Sequence, residues 1–159
     1  MKARALTVRD MAIGTTISYA IHLVFAGLWT GSVLFMTYAI LPTARAGNID
    51  LDPFADISSR LLTLSRVSSV VMLLTGGHLA GVFYTTETLT GSTNGYLVIA
   101  MVVLWLALAA LVEIGSSRIG DGLEERKLRS PAEKGRPFFL AASLVSVLLL
   151  VDAGLLLGL

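Results

Sequence analysis

The sequence predicts an all-α protein, a polytopic membrane bundle of four transmembrane helices running up and down. Three observations predict it. The 159-residue chain is 55% hydrophobic and only 14% charged, and its mean hydropathy of +0.79 lies outside the soluble globular range. Four apolar runs each reach the roughly 20 residues that cross a hydrocarbon core of about 30 Å. Between the runs lie short connections built from turn formers, prolines and charges, with no repeat and no low-complexity segment, so residues 1–159 read as one membrane domain.

The first span is expected near 11–41. It is longer than one crossing needs, which implies tilt or a protruding end, and Pro42 is expected to stop it. The basic segment before it (Lys2, Arg4, Arg9) precedes a run too long for a signal h-region, so this span is read as retained. The second span is expected near 61–84, with Phe54 to Arg60 extending its helix into the interface. The third is placed near 96–117 and the fourth near 138–159, with Pro137 in the first turn of the last helix. Residues 85–95 read as a neutral, turn-rich loop.

Charge sets the expected orientation. Arg118, Arg126, Lys127, Arg129, Lys134 and Arg136 follow span three, and Arg45 and Arg60 follow span one, whereas residues 85–95 contain no Lys or Arg. Positively charged connections stay cytoplasmic. Loops 42–60 and 118–137 are therefore expected inside and both termini outside a plasma membrane, with Lys2, Arg4 and Arg9 dissenting. A net charge of +1, with the basic residues at span ends, gives no nucleic-acid footprint. The absence of cysteine excludes disulfides, thiolate metal sites, iron–sulfur clusters and covalent c-type haem.

The two histidines both fall inside spans. At a rise of about 1.5 Å per residue, His22 lies roughly 14 Å below the start of span one, His78 roughly 9 Å from the end of span two, Met101 about 8 Å into span three and Asp152 about 10 Å from the end of span four. All four depths belong to the same side. Arg66 and Glu113 are each about 8 to 9 Å from the opposite face and of opposite sign, which predicts a structural ion pair. Each reading has a plainer one beside it. An intramembrane histidine can bond a hydroxyl or carbonyl of a neighbouring helix; Met36, Met72 and Met101 can simply fill gaps. Asp152, near the C-terminal end of its span, opposes the helix dipole and needs a partner or a proton, which makes it a candidate for a place near the site.

Small residues surround the histidines. Gly27-Leu-Trp-Thr-Gly31 is a GxxxG, and Gly76, Gly77 and Gly81 flank His78. They permit close helix approach, or they offer a flat porphyrin a surface beside its ligands, with Tyr19, Phe25 and Trp29 on the His22 side of span one.

Ile21-His-Leu-Val-Phe-Ala-Gly-Leu-Trp-Thr-Gly-Ser-Val-Leu-Phe35, Ala39-Ile-Leu-Pro42, Arg66-Val-Ser-Ser69 and Leu74-Thr-Gly-Gly77 resemble the CopD-type superfamily of small four-span membrane proteins, which includes the HemJ-type protoporphyrinogen oxidases. The resemblance implies haem b or copper as cofactor and a ligand role for His22. HemJ-type enzymes share a membrane-embedded lysine, whereas Lys2, Lys127 and Lys134 here are terminal or in a loop, which argues against the oxidase. Two functional classes follow. In one, His22 and His78 ligate haem b, with Gly27, Gly77 and Trp29 around it, for electron transfer or haem handling. In the other, His22, His78 and Met101, with Asp152 nearby, bind copper. An accessory protein whose histidines only pack is the third option. The expected partners are the bilayer, a membrane redox partner or quinone, and a second copy of the chain.

Overall fold

A computed structural model describes residues 2–126 and 128–158, and the side chains of 11–123, 125–126 and 128–158 among them; Lys127 and Leu159 lie outside the described residues. Six α-helices and one π-helical turn account for most of them: α1 (Lys2–Phe35), the π turn (Met36–Ile40), α2 (Leu41–Ala46), α3 (Leu51–Phe83), α4 (Thr86–Gly91), α5 (Thr93–Glu124) and α6 (Arg129–Gly158). The described residues contain no strand. Four stretches, Met11–Ala46, Leu51–Phe83, Thr93–Leu123 and Arg129–Gly158, are long and apolar enough to cross a membrane. They form the all-α four-helix bundle, with α3 between α1 and α5, α6 against α5, and a smaller α1–α6 contact closing the ring. One end carries α4 and the other the turn at Gly47; these are called the α4 end and the Gly47 end below.

The helices overrun the apolar stretches, and each overrun has a local cause. Pro42 does not stop the first span. The π turn before it takes up the missing proline N–H, with the Leu41 N–H donating to the Met36 carbonyl, and the helix continues to Ala46. It ends at Gly47, whose φ of +77° suits glycine. There the Asn48 N–H donates to the Thr43 carbonyl at 3.0 Å, and a Cβ on Gly47 would lie 2.8 Å from Arg129 Nη2. Pro137 is likewise not in a first turn. α6 starts eight residues earlier and carries Pro137 inside it. The expected loop 85–95 contains α4, opened by a capping box in which Thr85 and Thr88 exchange hydrogen bonds. Ser92 then caps α5 by accepting from the Gly95 N–H at 3.0 Å.

Packing is uneven along the bundle. The buried apolar residues are Trp29, Val33, Met36, Leu41 and Ala44 from the first span, Phe54 and Leu61 from α3, Leu108, Val112 and Ile119 from α5, and Ala132, Phe139 and Ala142 from α6. All lie toward the Gly47 end. Apolar side chains such as Leu74, Leu144 and Phe35 face outward, as lipid requires, while Ser58, Ser65, Ser68, Ser143, Ser146 and Thr37 are buried between helices. With no hydrophobic drive between helices in lipid, close packing and interhelical hydrogen bonds hold them together. Trp29 Nε1 donates to Ser65 Oγ at 2.8 Å, joining α1 to α3. The Ser143 hydroxyl lies 2.7 Å from Thr37 Oγ1, joining α6 to the π turn. Glycines bring α5 and α6 together: Gly115 stands against Phe139 and Gly135 against Ile119.

Candidate functional site

The α4 end contains a cavity of about 650 Å³ where the core of the other half is missing. All four long helices contribute to its wall: Tyr19 and His22 from α1, Gly76 from α3, Met101 from α5 and Ala153 from α6, with Thr88 of α4 at its polar end. The walls are mainly apolar, and the volume falls within the range of about 300–1,000 Å³ usual for small-molecule sites.

His22 is held in one orientation. Its Nδ1 lies 2.8 Å from Thr75 Oγ1 on α3, and the Thr75 hydroxyl is 2.7 Å from the Val71 carbonyl. With the single hydroxyl proton on that carbonyl, Thr75 Oγ1 accepts from His22 Nδ1–H and the ring takes the Nδ1–H tautomer. The Nε2 lone pair has no protein partner among the described residues and remains for a ligand. Gly76 makes room for the ring: a Cβ there would stand 3.0 Å from His22 Cε1. A histidine that only packs would make the same bond to Thr75. The cavity beside it is what the packing account does not require.

Of the residues expected at the site, the structure brings His22 and Met101 to one cavity and leaves the others elsewhere. His78 is exposed on α3 and does not line the cavity. Thr75 and Gly76 face α1; at about 100° per residue His78 lies about 60° around α3 from Thr75 and about 160° from Gly76, which leaves it exposed, so equal depth does not become a shared site. Gly27 and Gly77 are exposed, with open space where a Cβ would be. Trp29 shares the His22 face but sits about two turns deeper, in the core and 2% exposed. Met36 is core and Met72 packs against it. Asp152 is buried and adjoins the cavity wall at Ala153 without lining the cavity itself. Arg66 and Glu113 pair through two hydrogen bonds.

Comparison adds nothing to this geometry. No protein-family model, curated protein or solved structure matches the chain.

The described residues contain no group of three or more His, Asp or Glu side chains placed to hold a metal ion. The nitrogen and sulfur donors of the cavity are one imidazole and one thioether, with Tyr19 and Tyr84 among its oxygen donors. Sequence reading passes over Thr75 and sets Gly76 beside His78 rather than His22, although a hydroxyl and a glycine adjacent in span two, at the depth of His22, are the signal that would place them. It also passes over Thr88 and Ser92, which look like loop residues until α4 places them on the cavity wall.

Proposed function

We propose that the chain is an integral membrane haem b protein in which the cavity at the α4 end would take the porphyrin and His22 Nε2 would hold its iron. The observation that carries this reading is an oriented imidazole with a free Nε2 on the wall of an apolar cavity of about 650 Å³. The residues present fit such a group. Ligating histidines commonly have the other ring nitrogen bonded to a fixed acceptor, and Thr75 supplies that acceptor. Gly76 leaves the ring its place, and Met101 provides a second soft donor across the cavity. When bound, the group supplies one-electron chemistry or is itself the cargo. Thr75 holds the tautomer, and the apolar walls limit water. The resemblance of the His22 and Leu74–Gly77 segments to CopD-type proteins supports the same reading, as does a membrane location suited to a redox partner or quinone.

Cavity size favours haem over copper. A bare ion needs a void of about one water molecule, some 30 Å³, and a Cu(I) site gathers several soft donors around it, whereas this cavity is many times larger and has two. In place of a two-histidine sandwich within one chain, the proposal uses His22 alone of the two imidazoles.

Reduced-minus-oxidised spectra and metal analysis of purified wild type, His22→Ala and His78→Ala test it. Wild type and His78→Ala are expected to show haem bands that His22→Ala loses. Equal loss in both variants restores the two-histidine arrangement. Copper without a Soret band moves the reading to copper, and neither cofactor in wild type ends both.

A further inference from the structure

At the α4 end the bundle seals almost nothing. Residues 11–28, 69–83, 93–107 and 147–158 contain two buried residues, Gly95 and Asp152, and Asp152 is the one with a side chain. It is 7% exposed, and its Oδ2 is buried without a hydrogen-bond partner among the described residues. A carboxyl sealed where no apolar side chain is sealed is costly and calls for a compensating charge, donor or proton.

Its surroundings supply candidates. Asp152 and Leu156 share a face of α6 one turn apart, and Leu156 and the adjacent Ala153 both line the His22 cavity. The Gly115–Phe139 and Gly135–Ile119 contacts fix the register of α5 against α6; continued along both helices, it brings residue 102 level with Asp152 and Trp105 about one turn away. Trp105 Nε1 is a buried donor that also has no partner among the described residues. An unpaired donor and an unpaired acceptor thus occupy neighbouring helices beneath one cavity.

Other titratable groups near this end are accounted for. His22 is bonded to Thr75, Tyr96 Oη donates to the Thr90 carbonyl, and His78 and Glu87 are exposed. Tyr19 and Tyr84 line the cavity, and Lys2, Arg4, Arg9 and Asp10 precede Met11 on α1. Farther along, Arg66 and Glu113 satisfy each other.

We propose that Asp152 is the proton-exchanging group of this cavity, taking up one proton when one electron enters. The proposal rests on the haem reading. As a carboxylate, Asp152 would balance the single positive charge of the ferric iron–porphyrin core, the propionates being counted apart. One added electron cancels that charge, and Asp152 then regains neutrality by forming an O–H bond with a proton drawn from water through the polar end of the cavity. The electron comes from an external reductant of the quinol class, or from dithionite in the test, and that reductant is oxidised.

Potentiometric titration of the haem-loaded protein against pH, in wild type and Asp152→Asn, tests this. The wild-type midpoint is expected to fall with rising pH, by as much as about 59 mV per tenfold change in proton activity for a one-electron couple, while the Asn variant stays flat. Redox-difference infrared spectra of wild type give a readout that survives a misfolded variant: reduction should produce a carboxylic-acid C=O band that shifts in D2O and moves in Asp152→Glu. The same slope in Asp152→Asn, or no such band in wild type, overturns the role of Asp152 and leaves haem binding intact. A wild type with no Soret band overturns both.

Discussion

Arg66 on α3 and Glu113 on α5 face each other as a fork: Arg66 Nε donates to Glu113 Oε2 at 3.1 Å, and Nη2 donates to Oε1. Their side chains are 62% and 50% exposed, so the pair sits on the outside of the bundle, on helices that cross the membrane, rather than in its core. An unpaired charge near the bilayer centre costs about 2.5–3.5 kcal/mol on insertion scales and less toward the interface. Arg66→Leu and Glu113→Leu should each lower thermal stability in lipid nanodiscs, and the double variant should lose less than the two losses added. Additive losses would show that the two groups are independently solvated.

The Thr75–His22 bond predicts an effect on the cofactor without a matching effect on the fold. Thr75→Val removes the acceptor that fixes the tautomer, and loss of such an orienting partner usually weakens metal binding about 10–100-fold. Gly76→Ala places a methyl 3.0 Å from His22 Cε1 and should also displace the ring. Haem retention during purification should fall in both variants while the helical circular dichroism melt changes little. Full retention in both would leave the imidazole without a ligand role.

Two glycine substitutions should differ in sign. A Cβ at Gly135 would be 2.7 Å from Ile119 Cγ1 and 3.3 Å from the Gly115 carbonyl oxygen, and Ile119 is fully buried, so Gly135→Ala should cost about 1–3 kcal/mol. Gly27 has open space at the same position, and alanine is the better helix former by about 1 kcal/mol. Gly27→Ala should therefore be neutral or stabilising in a denaturation series. A loss at Gly27 as large as that at Gly135 would place a partner against the GxxxG face.

Sidedness follows from the basic residues around Gly47 and the α5–α6 connection, which predict that this end is cytoplasmic. Cysteines introduced singly at Ser92 and Ser130 should differ on intact cells, with an impermeant thiol reagent labelling position 92 and sparing 130. The opposite pattern inverts the topology.

Depth was legible in the sequence and azimuth was not. Counting residues from span ends puts His22, His78, Met101 and Asp152 on one side of the membrane plane, and it matches Arg66 to Glu113, because a helix converts residue number into height. Which way a side chain points depends on which face of each helix meets its neighbours, and spans that are apolar all round carry little signal for that. Hence His78 was expected beside His22 and instead faces outward, while Thr75, three residues earlier, makes the contact. The prolines mislead for a related reason. Pro42 and Pro137 each remove one N–H, but a π turn in the first case and a helix begun well before the apolar run in the second allow the helix to continue.

The division between a filled half and a hollow half also makes the two halves unequal in compressibility. The Gly47 end, closed by Trp29, Phe54 and Phe139 and latched by Arg45 to Glu133, has less volume to give up, with a hollow of about 190 Å³ beside Met36 and Leu61. The cavity at the α4 end has about 650 Å³, and pressure acts on folded proteins in proportion to the void it can eliminate. Hydrostatic pressure should therefore act first on the walls beside His22.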